Sequence, residues 1–396
     1  RDKTAALARQ LVAEVRANKH ERGTLDAFLQ EYSLTSEEGV ALMCLAEAFL
    51  RVPDADTADL LIKDKIGGAD WRAHRGKSDS MFVNASTWGL MLTGRIVSWG
   101  DADKRLGATL RRLVQRSGEP VIRQSVAYAM KIMGGQFVLG RTIREALSRA
   151  RDSEKRGFRH SFDMLGEAAY TRADAARYLQ SYRHAMGEIA RAAGPRGADS
   201  AITARPSISI KLSALHPRYE WVQRDQVMRD LLPQLVELAR SAKASFIGLT
   251  IDAEEADRLD LMLDLIEALA LHPDLAGWDG LGLAVQAYQK RATSVVDWLI
   301  DLAHRARRNI PVRLVKGAYW DSEVKRAQEQ GLSGYPVFTR KAATDVSYIA
   351  CAKRLLSAPQ AIYPQFATHN AHTLAAVRTL AEGNETGGNP QRYEFQ

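Results

Sequence analysis

Polar side chains recur at one kind of place in this sequence, the carboxyl end of a short apolar run. They are Asp163, Glu167, Lys211, Asp252, Gln286, Arg313 and His369. If the runs are parallel strands of one barrel, their carboxyl ends meet on a single face, where barrel enzymes build their catalytic sites. An isolated buried charge is costly, so charges on successive strands must neutralise one another or a ligand. The pattern therefore predicts a polar site assembled from distant parts of the chain.

Arg313 lies inside such an apolar run, in the segment IPVRLVKGAYWD (310–321). Side chains alternate between the two faces of a strand, so Arg313 and Val315 share one face while Val312 and Leu314 share the other. If the second face packs against helices, the guanidinium of Arg313 enters the barrel mouth. A cation held there stabilises negative charge that develops on a bound group.

The residues after this strand favour a large anionic ligand. Gly317 and Ala318 let a ligand approach the backbone closely, and their amides suit a pyrophosphate. Trp320 offers a flat surface on which an aromatic ring can stack. The arginine at 313, the turn of small residues and the aromatic side chain of Trp320 together suit an anionic cofactor with a heterocycle at each end. A flavin dinucleotide has that shape.

Simpler explanations exist for several of these residues. Lys211 is explained by a structural ion pair with Asp252 or, alternatively, by the Schiff-base chemistry of an aldolase. Asp252 would also cap the helix that follows it. Gln286 is explained as a satisfied core amide, and His369 as a ligand contact or a neighbour of a helix cap. No H-x-H or H-E-x-x-H spacing supports a metal site, so none is predicted.

The elements that position these side chains alternate between strand and helix from about residue 155. Candidate strands are 159–165, 207–213, 246–252, 280–286, 311–315, 363–369 and 393–396. Amphipathic helices between them include 178–193, 227–242 and 294–307. This alternation predicts an α/β fold, a distorted (β/α)8 barrel (TIM-like) with the last strand and helix absent from this chain. A doubly wound open sheet is the alternative, but no strand is followed by G-x-G-x-x-G or a Walker sequence.

The first part of the chain is predicted to be helical throughout. We expect a helical arm over 1–75, a helical packing domain and linker over 76–150, and the barrel over 151–396. Thr35 and Glu38 form a capping box at the start of one of these helices. The helical part shows no residue pattern that indicates chemistry of its own.

Composition limits the class of protein. The chain has 396 residues, 46% of them hydrophobic and 26% charged, as in soluble globular domains. Its 55 basic residues exceed its 47 acidic residues but are scattered, so nucleic-acid binding is not predicted. Two cysteines, Cys44 and Cys351, argue for a reducing compartment and against a disulfide framework. No apolar run reaches the length of a membrane span.

Several long motifs are similar to those of a known family, and they occur in the same order. They are SISIKLSALHPRYE, IDAEEADRLD, VQAYQKR, VRLVKGAYWDSEVKRAQ, GYPVFTRK and YPQFATHNAHT, preceded by SFDMLGEAA and NASTWGLMLTG. On these motifs the chain resembles the proline dehydrogenase domain of bacterial proline utilization A (PutA). The resemblance implies an FAD-dependent enzyme that oxidises L-proline to Δ1-pyrroline-5-carboxylate, the first step of proline catabolism to glutamate. It implies hydride transfer to flavin N5 and electron transfer to membrane quinone.

The resemblance also assigns roles by motif. Lys211, Asp252 and Arg313 are the implied catalytic residues, and Lys211, Asp252 and Glu167 the implied proline-binding residues. The residues implied to contact FAD are Asp252, Gln286, Arg313, Val315, Lys316, Gly317, Ala318, Tyr319, Trp320, Thr339, Arg340, Lys341, Thr368, His369, Asn370 and Gln396. Arg313 is implied to lie near the flavin N5 edge, and Trp320 near the adenine.

Partners and location follow from the same resemblance. The chain stops at YEFQ, before the eighth strand and final helix on which the family keeps a tyrosine and an arginine pair that grip the proline carboxylate. We expect no ribbon-helix-helix DNA-binding segment of trifunctional members in this chain, and we expect an aldehyde dehydrogenase domain in the parent polypeptide. We expect a cytoplasmic homo-oligomer that associates with the membrane surface during turnover, without nucleic-acid contact from this chain. A non-catalytic interaction module is the alternative, because the eighth strand is missing.

Overall fold

The computed structural model describes residues 2–18, 138–164, 168–195, 201–383 and 392–396. The chain divides into one compact unit of Arg1–Ala13 with Leu147–Gln396 and a second unit of Glu14–Ala146. All strands named below belong to the first unit. The predicted capping box at Thr35 and Glu38 lies outside the described residues, and the predicted division of the helical part at residue 75 stays a prediction.

Strands and helices alternate along the first unit, as the sequence predicts. The strands are β1 Ser161–Asp163, β2 Ser207–Ile210, β3 Gly248–Ile251, β4 Leu281–Gln286, β5 Ile310–Val315, β6 Ile362–Phe366 and β7 Glu394–Phe395. The helices of the described ranges are α1 Asp2–Ala17, α2 Ile143–Glu154, α3 Arg172–Ala193, α4 Arg224–Ala244, α5 Leu259–Ala270, α6 Ala292–Ala306, α7 Trp320–Glu329, α8 Lys341–Leu356 and α9 Ala371–Glu382. None of these helices is both long and apolar enough to cross a membrane.

The strands form one parallel sheet in which the spatial order is the sequence order, from β1 to β7. Parallel neighbours need crossover connections, and helices α3 to α9 supply them. The sheet is curved, because Arg159 beside β1 reaches Glu394 in β7 at 3.4 Å and Arg313 in β5 reaches Ser161 in β1 at 2.7 Å. The predicted α/β fold with an incomplete barrel is confirmed, with β1 and β7 as the edges of the described sheet.

The two faces of the sheet differ in chemistry. The outer face packs aliphatic side chains against the helices, and Leu249, Leu283 and Val312 are fully buried there. Each such burial contributes roughly 1.5–3 kcal/mol. The inner face carries small or polar residues instead, including Ser209, Thr250, Gly282, Arg313 and Gln365, which are register partners on neighbouring strands. This inner face leaves room for a polar site.

Element ends differ from the predicted ones for local reasons. The helix predicted over 178–193 begins earlier, at Arg172, because Thr171 and Asp174 form a reciprocal capping box. The Thr171 hydroxyl accepts the backbone N–H of Asp174 at 3.1 Å, and the Asp174 carboxylate accepts the backbone N–H of Thr171 at 3.0 Å. Several strands end before their predicted carboxyl limit. Lys211 and Asp252 therefore stand just past their strands, on the loops that form the rim of the barrel.

Candidate active site

Arg313 projects from β5 into the interior of the curved sheet and joins four other segments. Its guanidinium donates hydrogen bonds to the hydroxyls of Ser161 (2.7 Å) and Ser209 (2.9 Å), to the amide oxygen of Gln396 (2.7 Å) and to a carboxylate oxygen of Asp252 (2.9 Å). Its side chain is only 14% exposed, so these contacts fix the cation in place. The prediction that Arg313 faces the interior is confirmed.

Lys211 completes a charged cluster with Arg313 and Asp252. Its ammonium group lies 3.3 Å from the second carboxylate oxygen of Asp252 and 3.3 Å from a carboxylate oxygen of Asp163. The backbone N–H of Lys211 donates to the hydroxyl of the buried Tyr182 of α3, which holds the end of β2 in position. Asp252 thus bridges two cations, and residues predicted from distant motifs come together as expected.

A cavity of about 630 Å³ opens beside this cluster, at the carboxyl ends of the strands. Its volume is typical of small-molecule and cofactor sites. The predicted site residues that line it are Lys211, Asp252, Gln286, Arg313, Val315, Lys316, Gly317, Ala318, Tyr319, Lys341, Thr368, His369 and Asn370. Most of the predicted site is therefore one continuous surface.

Among the described residues of the predicted site, four do not line this cavity. Trp320 is 42% exposed, and its indole N–H is bonded to a backbone carbonyl of the segment before α8. Thr339 and Arg340 are exposed residues of that same segment. Gln396 lines a second cavity, of about 980 Å³, on the inner face of the sheet beyond Arg313. Glu167 lies outside the described residues.

Gln286 ties two rim segments together. Its side-chain N–H donates to the backbone carbonyl of Glu254 at 2.8 Å, and its amide oxygen accepts the backbone N–H of Ala318 at 3.2 Å. With only 3% of the residue exposed, both ends of the amide are used within the protein. This is the satisfied amide of the simpler interpretation, and a contact with a cofactor stays a prediction.

Glu254 is a buried rim residue outside the predicted site. Its carboxylate accepts the backbone N–H of Ser213 at 3.0 Å, two residues after Lys211, and pairs with Arg258 at 2.8 Å. Burial raises the pKa of Glu254, although Ser213 and Arg258 favour the ionised form. Glu254 therefore links the loop of Lys211 to the loop of Asp252. The sequence signal for it is an acidic residue three positions after the end of β3.

Gly317 allows a close approach of the Tyr288 ring, in addition to the approach of a ligand that the sequence predicts. Its φ of 141° is rare for a residue with a side chain, and a Cβ placed there would stand 2.4 Å from the ring of Tyr288. Tyr288 is buried under the turn, and its backbone N–H donates to the carbonyl of Lys316 at 2.7 Å. The neighbouring Tyr319 faces the cavity, and burial raises the pKa of its phenol, so it stays protonated at neutral pH.

The chemistry of the cavity lining fits a flavin dinucleotide. Arg313, Lys316 and Lys341 supply cations for anionic groups, while Val315 and Tyr319 supply apolar and aromatic surface for a ring system. Within the described ranges, no group of three or more His, Cys, Asp and Glu side chains is placed to hold a metal ion. The cations of the lining are what suit the cavity to an organic anion.

Two family models match the chain. The model described as "Proline dehydrogenase" matches residues 146–396, which include the whole sheet and the cavity. The model described as "DNA-binding domain of Proline dehydrogenase" matches residues 24–137, which lie outside the described residues. The sequence predicts only helical packing there, and the expected absence of nucleic-acid contact stays a prediction.

The chain is also similar to proteins named PutA. Over 393 residues the chain is 56% identical to the "Bifunctional protein PutA" of Salmonella typhimurium, covering 98% of this chain and 29% of that protein. It is 53% identical to the PutA of Rhizobium meliloti, covering 100% of this chain and 31% of that protein. A crystal structure of a variant of Bradyrhizobium japonicum proline utilization A matches with a TM-score of 0.69 and 47% identity, covering 100% of this chain and 38% of that one.

The chain thus spans about 29–31% of the length of these curated relatives. The proline dehydrogenase model covers the part of the chain in which Lys211, Asp252 and Arg313 meet beside the cavity. On that match, the chain belongs to the proline dehydrogenase family.

Proposed function

We propose that this chain catalyses the FAD-dependent oxidation of L-proline to Δ1-pyrroline-5-carboxylate, with a quinone as the final electron acceptor. The observation that carries the proposal is the convergence of Lys211, Asp252 and Arg313 at the edge of a cofactor-sized cavity. Family membership supports it. Because the relatives are much longer than this chain, their activity is not transferred to it directly. The proposal rests on the residues that this chain itself contains.

Lys211 and Asp252 are the proposed substrate-positioning pair. They present a cation and an anion side by side, which is complementary to the carboxylate and amine of a zwitterionic amino acid. In the reaction the ring carbon next to the proline nitrogen loses a hydride and the nitrogen loses a proton, which leaves a C=N double bond. Glu167 is the further residue proposed for this pocket.

Arg313 is the proposed electrostatic residue. Bound FAD would supply the hydride acceptor for this reaction. The guanidinium of Arg313 is already held by four partners, so it can stabilise negative charge on an adjacent group without reorganising. Its contact with Asp252 offsets part of its charge before any ligand is present.

The proposal is tested on the full-length polypeptide that contains this chain. We expect purified protein to carry flavin absorbance that bleaches when L-proline is added without oxygen, and to recover on addition of a soluble quinone. Arg313→Met should slow the bleaching more than a hundredfold, because one preorganised donor contributes about that much. Colourless folded protein, or flavin that proline does not reduce, would contradict the proposal.

The aldolase alternative differs from the proposed function in requiring Lys211 to react as a nucleophile. A Schiff-base lysine must react as a neutral amine, whereas the two carboxylates beside Lys211 stabilise an ammonium ion. Treatment with borohydride in the presence of a carbonyl substrate should leave Lys211 unmodified. A covalent adduct on Lys211 would favour the aldolase.

Partners outside this chain extend the same proposal. The relatives are named bifunctional proteins, and we propose that an aldehyde dehydrogenase domain of the parent polypeptide consumes the product. We also propose a homo-oligomer in the cytoplasm that contacts the membrane surface while it reduces quinone. Co-sedimentation of the reduced and the oxidised full-length protein with lipid vesicles measures that contact.

A further inference from the structure

Asp345 is an acidic residue of α8 that no motif assigned to the site. One of its carboxylate oxygens lies 2.6 Å from the ammonium of Lys316, and the other lies 2.9 Å from the ammonium of Lys341. Both lysines line the cavity. A single carboxylate therefore holds two cavity cations, one at the end of β5 and one at the start of α8.

Lys316 is fixed by further contacts. Its ammonium lies 3.3 Å from the hydroxyl oxygen of Thr373 in α9 and 6.0 Å from the ring centre of Tyr348 in α8. Thr373 is itself held by the side chain of Asn370, which accepts the backbone N–H of Thr373 at 2.9 Å. Lys316 thus joins β5 to two helices, and Asp345 makes the shortest of its contacts.

The start of α8 has an excess of positive charge. Lys341 is its first residue, Arg340 precedes it without a side-chain capping bond, and its first turn contains no acidic residue. Cations are unfavourable at this positive end of a helix dipole unless an anion lies nearby. Asp345 carries one negative charge and pairs with two lysines, so these three side chains together keep one net positive charge.

We propose that Asp345 is a positioning residue, which holds the ammonium groups of Lys316 and Lys341 together so that both face the pyrophosphate of the bound dinucleotide. The inference rests on the proposed function. Lysine side chains are long and flexible, and two like charges repel, so without Asp345 the two ammonium groups separate and must be ordered again on binding.

The positioning role and the charge of Asp345 predict opposite changes in affinity for the dinucleotide when Asp345 is removed. A carboxylate near a pyrophosphate repels it, so removal of Asp345 should strengthen binding if its charge alone mattered. The positioning role predicts weaker binding, because the loss of order affects both lysines. The sign of the change in affinity therefore separates the two explanations.

The experiment measures flavin affinity in apo protein prepared from the full-length polypeptide. FAD is compared with riboflavin, which shares the ring system but has no phosphate. Asp345→Asn should weaken FAD binding about tenfold and riboflavin binding less than twofold. Asp345→Glu, which keeps the charge, should restore most of the FAD affinity. If Asp345→Asn does not fold, the smaller Asp345→Ser takes its place.

The matched control is Asp297→Asn. Asp297 pairs with Arg354 of the same helix α8 at 3.5 Å, and it does not line the cavity. This variant should leave both affinities unchanged. In a Lys316→Met and Lys341→Met background, Asp345→Asn should have no further effect on FAD, because Asp345 acts through these two lysines.

Three outcomes would overturn the inference. Tighter FAD binding in Asp345→Asn would show a repulsive charge, and equal losses for FAD and riboflavin would show a merely structural residue. An undiminished effect in the double-lysine background would show that Asp345 does not act through Lys316 and Lys341. Wild-type protein that binds no flavin would instead overturn the proposed function together with this inference.

Discussion

The ring of Tyr288 occupies the space into which a side chain at position 317 would project. A Cβ on Gly317 would meet three ring atoms at 2.4–2.5 Å, and the φ of 141° is itself unfavourable for other residues. Tyr288 follows β4 and Gly317 follows β5, so their contact sets the relative height of two rim segments. The requirement for glycine here comes from packing beneath the site as well as from access above it.

We expect Gly317→Ala to lower the free energy of unfolding by about 2 kcal/mol or more, because the new methyl group adds a clash to a strained backbone. The variant should also lose flavin affinity, since the displaced turn lines the cavity. Chemical denaturation and flavin titration measure the two effects.

Gly187→Ala is the matched control for that substitution. Gly187 lies inside α3 and has open space around it, apart from one arginine side-chain atom at 4.0 Å. Alanine is favoured over glycine in a helix, so this variant should gain roughly 0.5–1 kcal/mol. Equal stability of the two variants would contradict the packing argument.

Arg313→Lys should destabilise the protein, although the charge is retained. The guanidinium is a planar group that reaches Ser161, Ser209, Asp252 and Gln396 at the same time. The compact ammonium group of a lysine cannot reach all four. Loss of a largely buried ion pair and its hydrogen bonds costs about 3 kcal/mol. Urea denaturation of the apo protein measures the change without any contribution from a cofactor.

Arg305→Lys provides the comparison for Arg313→Lys. Arg305 pairs with Asp301 and Glu267, but its side chain is 41% exposed and solvent screens both pairs. Its substitution should change stability by less than about 0.5 kcal/mol. Similar losses for the two variants would mean that the four contacts of Arg313 contribute little.

The strand positions and the inward direction of Arg313 were predictable because each follows from a local period. An apolar run with alternating faces identifies β5, and the cost of burying a charge places Arg313 at a site. The partners Ser161 and Ser209 were not predictable from the sequence. They lie on strands distant from β5 in the chain, and only the curvature of the sheet brings their hydroxyls to Arg313. Asp345 was not predicted for a related reason. It lies in α8, and its proposed role depends on contact with Lys316, which follows β5 and is distant in the sequence.

Cys351 should be unreactive in the folded protein. Its thiol is fully buried in α8, and burial raises its pKa to about 11, so the reactive thiolate is scarce at pH 8. A thiol reagent at pH 8, followed by peptide mass mapping, should leave Cys351 unmodified in the native protein and label it after unfolding. Rapid labelling of the native protein at Cys351 would contradict the buried position.

Glu323 should make stability depend on pH in a direction opposite to the usual carboxylate. It lies in α7, only 4% exposed, and accepts the backbone N–H of Ala256 at 2.6 Å. Burial raises the pKa of Glu323 above its ordinary 4.5, and the hydrogen bond offsets only part of that effect. The folded state therefore holds the proton more tightly than the unfolded state, so stability falls as pH rises from about 4.5 through the folded pKa.

Glu323→Gln removes this titration while the amide oxygen can still accept the N–H of Ala256. We expect the variant to match the wild type near pH 4 and to have a higher melting temperature at pH 7, with each unit of pKa difference worth about 1.4 kcal/mol. Glu382→Gln is the control of opposite sign, because a hydrogen bond from Lys3 lowers the pKa of Glu382 and favours the folded state at neutral pH. That variant should lose stability at pH 7 relative to pH 4. If the gain of Glu323→Gln is constant across this range, the carboxyl group of Glu323 does not titrate differently in the folded state, and its burial is not what sets the pH dependence.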